Sequence, residues 1–202
     1  WGIEVADWDG GVVANNLHVH RKADGVTNVF SLNVKASDED GRCRNVAIRD
    51  NVFCGAPVIF RNPRGFRDLL FSDNTVFMPE HEGTLVRAGG ALEGCSFSGN
   101  VYGAAGTGNQ WFRLADETMG FAQWSRSTRE TGARAGSVQF PDPERTIESY
   151  MAHLGLEPTF EAFIAEVRKQ SRQNWRPEFT AAAVNRWVRE GFGLERTPSP
   201  VF

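Results

Sequence analysis

Cysteine is scarce in this chain, and so is any surplus of positive charge. The 202 residues include only Cys43, Cys54 and Cys95, an odd and sparse set that supports neither a disulfide framework nor the paired spacing of a metal site. Cys95 reads instead as a small buried apolar residue. Lysine and arginine number 22 against 25 acids, a net charge of −3, whereas a nucleic-acid-binding domain presents a basic face. Nucleic acid is therefore not an expected partner. No apolar run approaches the ~20 residues that span a bilayer, so no membrane span is expected either. The chain opens on Trp1 in mid-repeat. The expectation is that it continues an N-terminal remainder of a larger chain or assembly.

What the sequence does have is a repeat. The segments VVANNLH, VAIRDNVF, LLFSDNTVF and CSFSGNVY each place an asparagine just before one or two apolar residues. These are Asn16, Asn51, Asn74 and Asn100, at intervals of 35, 23 and 26 residues. Units of that length cannot bury an apolar face alone and must stack on their neighbours. Aligning the asparagines superposes Val46, Leu69 and Cys95, then Ile48, Phe71 and Phe97, the period-two inward positions of a strand. A further short strand follows in each unit: VFSLNVKA (29–36), PVIFR (57–61), TLVRA (84–88) and QWFRL (110–114). Asparagine tolerates the left-handed backbone of a sharp bend, and its amide can bond to the copy above.

Beyond residue 115 the pattern changes. Residues 116–143 read as an irregular connection, and 144–202 as helices that would cover the exposed end of the stack. Ile147, Tyr150, Met151 and Leu154 share one face. Phe160, Phe163, Ile164 and Val167 share a second, and Ala181, Val184, Trp187 and Val188 a third.

The h-x-h-x-x-N-x-h pattern of VAIRDNVF and CSFSGNVY resembles the right-handed parallel β-helix superfamily, whose best-known members are pectate-lyase-like. The resemblance covers residues 1 to about 115. It implies a mainly β fold, a right-handed parallel β-helix followed by a C-terminal α-helical cap. It also implies a secreted, periplasmic or extracellular protein that acts on or binds an acidic polysaccharide by lyase, epimerase or hydrolase chemistry. The alternative is a non-catalytic carbohydrate-binding or structural module of a larger assembly. The Asp-Pro-His-Glu run of alginate epimerases and the Gly-His-Gly run of polygalacturonases are absent, so no single chemistry is specified.

Residue chemistry supplies the candidates. Arg61, Arg87 and Arg113 close three successive strands at intervals of 26 and 26. Stacked about 4.8 Å apart, they would form a ladder suited to the carboxylates or sulfates of a sugar chain. The plainer reading pairs each with a local acid such as Glu82 or Asp116. Arg64 and Arg67 would thicken the same edge, and Trp111 would serve as a sugar platform beside Arg113. Asp7 and Asp9, flanking Trp8, resemble the paired carboxylates of glycosidases, against the plainer reading of a turn before Gly10. His18 and His20 would project to one side of a strand, as solvated groups or as a general base near those acids. No metal site is called. Calcium remains possible at the acidic loop Ser37–Gly41, whose acids are otherwise simply solvated.

Overall fold

A computed structural model describes residues 2–21, 29–79, 83–104 and 110–194. Contacts divide the chain into two compact units, Trp1–Val138 and Gln139–Phe202. The first is a parallel β-solenoid of about four turns. Each turn contributes three short strands. The first turn holds β1 (Ile3–Ala6), β2 (Asp9–Ala14) and β3 (Leu17–Val19), and the second β4 (Leu32–Lys35), β5 (Cys43–Arg49) and β6 (Val52–Cys54). The third holds β7 (Val58–Arg61), β8 (Phe66–Ser72) and β9 (Thr75–Met78), and the fourth β10 (Val86–Ala88), β11 (Cys95–Ser98) and β12 (Val101–Ala104). Then follow β13 (Phe112–Leu114), β14 (Glu117–Met119), helix α1 (Phe121–Thr128) and β15 (Arg134–Ala135).

Like strands stack on like. Sheet A runs β1-β4-β7-β10-β13-β14, sheet B β2-β5-β8-β11 and sheet C β3-β6-β9-β12-β15. All pairings are parallel except β13 with β14, which turns back and covers the last edge of sheet A. The inward rows match the sequence alignment: Val46, Leu69 and Cys95 are register partners, as are Ile48, Phe71 and Phe97. Their side chains meet Phe53 and Phe60 in one continuous core. Trp124 of α1, fully buried, stacks on Phe112 at 4.9 Å and meets Phe97 edge-on at 5.7 Å. The stretch read as irregular therefore contains the helix that closes this core.

The four asparagines form one hydrogen-bonded ladder. Asn16 Nδ2 donates to Asn51 Oδ1 at 3.0 Å, Asn51 Nδ2 to Asn74 Oδ1 at 2.9 Å, and Asn74 Nδ2 to Asn100 Oδ1 at 3.2 Å. Each rung's backbone amide donates to the same oxygen of the next. The left-handed bend falls one residue earlier than the sequence suggests. Asn15, Asp50, Asp73 and Gly99 carry positive φ, between 53° and 65°. The labour is divided: the preceding residue turns the corner, which frees the asparagine to bond along the stack. The last rung is not an asparagine. Asn100 Nδ2 donates to Glu130 Oε1 at 2.7 Å, and Tyr102 and Trp124 donate to the same carboxylate.

The second unit carries α2 (Ile147–His153), α3 (Phe160–Arg168) and α4 (Ala181–Gly191) around Tyr150, Met151, Phe163, Phe179 and Val184. Most of the expected face residues pack in this cluster, Trp187 among them, but Phe160 and Ala181, each at the first turn of its helix, are exposed. Pro177 opens a 3-10 turn, and Thr180 then caps α4 by accepting from the Ala183 amide.

Candidate functional site

The outward face of sheet A gathers the basic candidates. Strand pairing places Arg87 opposite Arg113 on one side and opposite Ile59 on the other. Arg61 lies two residues further along β7, opposite Lys35. The expected three-rung arginine ladder is thus corrected. Equal sequence spacing hides a slip, because the turn from Val58 to Val86 is two residues longer than the turn from Val86 to Phe112. The result is two pairs, Lys35–Arg61 and Arg87–Arg113, displaced by two residues along the strands. Side chains two apart share a face, so all four cations point outward from the consecutive strands β4, β7, β10 and β13. Three inter-strand steps at about 4.8 Å make a diagonal stripe about 14 Å long, running along the solenoid axis.

Arg113 bonds the Ala115 carbonyl at 3.0 Å and Asp116 at 3.2 Å, and that aspartate is fully exposed. Arg61 and Arg87 are exposed and form no ion pair among the described residues. Glu82, an expected local partner, lies outside the described residues. Asn33, in the Arg87 row, donates to Glu4 at 3.1 Å, and its own Oδ1 is buried without a hydrogen-bond partner among the described residues. Lys35 is the member that sequence reading missed. Its signal was present, since NVKA and IFRN both end a strand on a cation, but only strand register aligns the two.

Other candidates fall elsewhere. Trp111 is 8 % exposed and belongs to the solenoid core. It precedes β13 instead of alternating within it, so it offers no sugar platform. Arg64 pairs with Glu39 at 3.1 Å, and Arg67 bonds the Arg64 and Phe66 carbonyls and, at 3.4 Å, the Glu39 carbonyl, so both fasten the Ser37–Gly41 loop to the corner before β8. Within that loop Asp38 pairs with Arg42. Oxygen donors already facing guanidinium groups are poorly disposed to gather around calcium, and no group of three metal-ligating side chains occurs among the described residues. Replacing Arg64 by alanine is expected to loosen this loop and leave affinity for any ligand of the stripe unchanged, as a binding titration would show.

The carboxylate pair also separates by role. Asp7 turns the corner between β1 and β2 with φ 53° and accepts from the Ser37 hydroxyl and, at 2.7 Å, the Ser37 amide. These bonds hold its carboxyl below the usual range. Asp9 is gripped by Arg44 through two contacts of 2.9 and 2.6 Å, which lower its carboxyl likewise. Neither retains a proton to give as a general acid near neutrality.

His18 faces inward, in the row of Phe53, Val76 and Tyr102. The Ser31 hydroxyl donates to the Ala56 carbonyl at 2.9 Å, so His18 Nδ1, 3.0 Å from that hydroxyl, must be the nitrogen carrying hydrogen. Burial first, and His20 second, lower the His18 pKa. His20 donates its backbone amide to Cys54. Burial also raises the Cys43 thiol and pushes Cys95 up to about 12, which excludes a ready thiolate nucleophile at either.

No family model, curated protein or solved structure matches the chain. No helix among the described residues is long and apolar enough to cross a membrane.

Proposed function

We propose that this protein binds an acidic polysaccharide along the outward face of sheet A, in the manner of a pectate-lyase-like β-helix. The observation that carries the reading is the four-cation stripe, in which Arg61 and Arg87 lack acidic partners among the described residues. Like charges at this spacing repel, and an extended anionic chain lying along the axis relieves that repulsion. Arginine also offers a planar fork that matches a carboxylate or sulfate in a way that a single ammonium does not. A secreted or extracellular setting, where such polymers occur, belongs to the same proposal.

Binding without turnover is the favoured form. Asp7 and Asp9 are held ionised by Ser37 and Arg44, and His18 points into the solenoid. As ionised groups Asp7 and Asp9 have no proton to donate, and Asp9 lies on β2 of sheet B in the grip of Arg44, so no donor acid among these candidates stands over the stripe. In the catalytic form, arginine neutralisation of a uronate carboxylate would ease removal of the adjacent C5 proton.

The test is calorimetric titration with polygalacturonate, alginate and heparin oligosaccharides, with absorbance monitored for unsaturated product. Arg61→Ala and Arg87→Ala are each expected to weaken binding about tenfold, about 1.4 kcal/mol. Affinity should fall as salt shortens the screening length. Wild-type affinity unchanged in both variants would refute the stripe as the binding face. Unsaturated product would move the reading to a lyase.

A further inference from the structure

Sheet B ends on a strand that is only half covered. Leu69 of β8 donates to the Gly94 carbonyl, and Asp73, the residue after β8, donates to the Ser98 carbonyl. With Leu69 opposite Cys95 and Phe71 opposite Phe97, the alternation of a parallel ladder turns the amides and carbonyls of Cys95 and Phe97 away from β8. Two of those four groups are satisfied locally, the Cys95 amide by Leu92 and the Phe97 carbonyl by the Thr131 amide. The Cys95 carbonyl and the Phe97 amide have no partner among the described residues. Beside them lies a cavity of about 820 Å³, lined by Leu92, Glu93, Cys95, Phe97, Thr128 and Arg129 among others.

The chain's own route explains the opening. Thr131 joins the edge as an ordinary parallel rung, donating to the Phe97 carbonyl and accepting from the Gly99 amide. A regular strand would put residue 129 opposite Ser96, two positions earlier. Arg129 instead closes α1 with φ 56°, its amide returning to the helix. The half rung over Cys95 and Phe97 is therefore left to something else.

We propose that this cleft captures the free C-terminus of an extended peptide laid parallel to β11. The Cys95 carbonyl and Phe97 amide are the acceptor and donor that one amino-acid residue satisfies with its own N–H and C=O, as Thr131 does two positions on. A sugar has no such matched pair at strand spacing. The peptide must stop at that residue, because the next position is already held by Glu130 and Thr131. Its last C=O is thus a carboxylate, accepting from Phe97 and lying at the end of the cleft where Arg129 stands. Arg129 there offsets both the new charge and the negative end of α1. The preceding residues run back toward Leu92 and Glu93, with the penultimate side chain turned inward, where small groups fit best.

The probe is a set of fluorescein-labelled hexapeptides, Ser-Gly-Ser-Ala-Ala-X, with each of the twenty residues at X, as free acids and as C-terminal amides. Anisotropy with the full chain should show free acids binding, with the amides weaker by about tenfold or more. Arg129→Gln should lower free-acid affinity by a similar factor, with the thermal unfolding midpoint unchanged. Hydrogen exchange at the Phe97 amide should slow when a bound peptide is added. Binding of no free acid, equal binding of acids and amides, an unprotected Phe97 amide, or displacement by oligouronates would each overturn the proposal. The cleft and the sheet A stripe share no residue, so either can fail alone.

Discussion

Asn74→Ala should destabilise the solenoid by about 3–5 kcal/mol, among the larger effects of a single substitution. Asn74 is fully buried. Its Oδ1 accepts from the Asn51 amide and side chain, and its Nδ2 donates to the Ile48 carbonyl and to Asn100. Alanine leaves the buried Asn51 amide without a partner, which costs about 1–3 kcal/mol, and removes three further bonds worth about 0.5–1.5 kcal/mol each, among them the second donor to an Ile48 carbonyl that keeps its ladder bond from β8. Asn16 stands at the end of the ladder, donating to Ala14 and Asn51 and accepting from no described residue. Asn16→Ala should therefore cost much less. A denaturant series over Asn16, Asn51 and Asn74 reads the gradient directly, and equal losses at all three would contradict a stacked ladder.

Glu130→Ala should be of similar size, for a different reason. One carboxylate terminates the ladder and also receives the Tyr102 hydroxyl and the Trp124 indole, at 3.1 Å each for the nearer contacts. Removing it leaves three buried donors at the end of the core that α1 closes. Glutamine keeps the acceptor for Asn100 but turns an NH2 toward a second donor, so Glu130→Gln should fall between wild type and alanine. The pH dependence carries a sign. Burial raises the Glu130 carboxyl above its ordinary 4.5, outweighing the bonds from Asn100, Tyr102 and Trp124. The native state then holds this proton more tightly than the unfolded chain. Its stabilising contribution is full below 4.5 and is lost as pH rises through the raised value. Asp7 and Asp9, whose carboxyls are lowered from 3.8, act in the opposite direction and only in more acid solution. Unfolding midpoints measured from pH 4.5 upward should fall for wild type and stay flatter for Glu130→Gln.

Particular residues show where the sequence was legible and where it was not. The asparagine interval predicts the stack because a side-chain amide can bond its own copy only in register, and the inward rows follow from period two. Glu130 escapes that reading. It follows Asn100 by 30 residues, with a helix in between, and is succeeded by Thr131 and Gly132 instead of an apolar pair. Nothing local marks it as a rung. The stripe was half legible. Arginine at the ends of strands shows in the sequence, but turn length sets which arginine meets which, and the two extra residues lie between Val58 and Leu69, in the corner that holds the Pro63–Gly65 3-10 turn and carries no periodic signature. Trp111 misled for a related reason, since alternation counted back from Arg113 assumes that the strand begins earlier than Phe112, where it starts. Residue type and close spacing single out the catalytic candidates, but partners outside those pairs, Ser37 for Asp7, Arg44 for Asp9 and Ser31 for His18, decide their chemistry.

Chemical-shift mapping of the isotope-labelled chain with a polygalacturonate hexamer addresses the central claim most directly. The account predicts perturbations confined to β4, β7, β10 and β13, strongest at Lys35, Arg61, Arg87 and Arg113. Perturbations centred on sheet B or sheet C, or a hexamer that moves no resonance of sheet A, would contradict it.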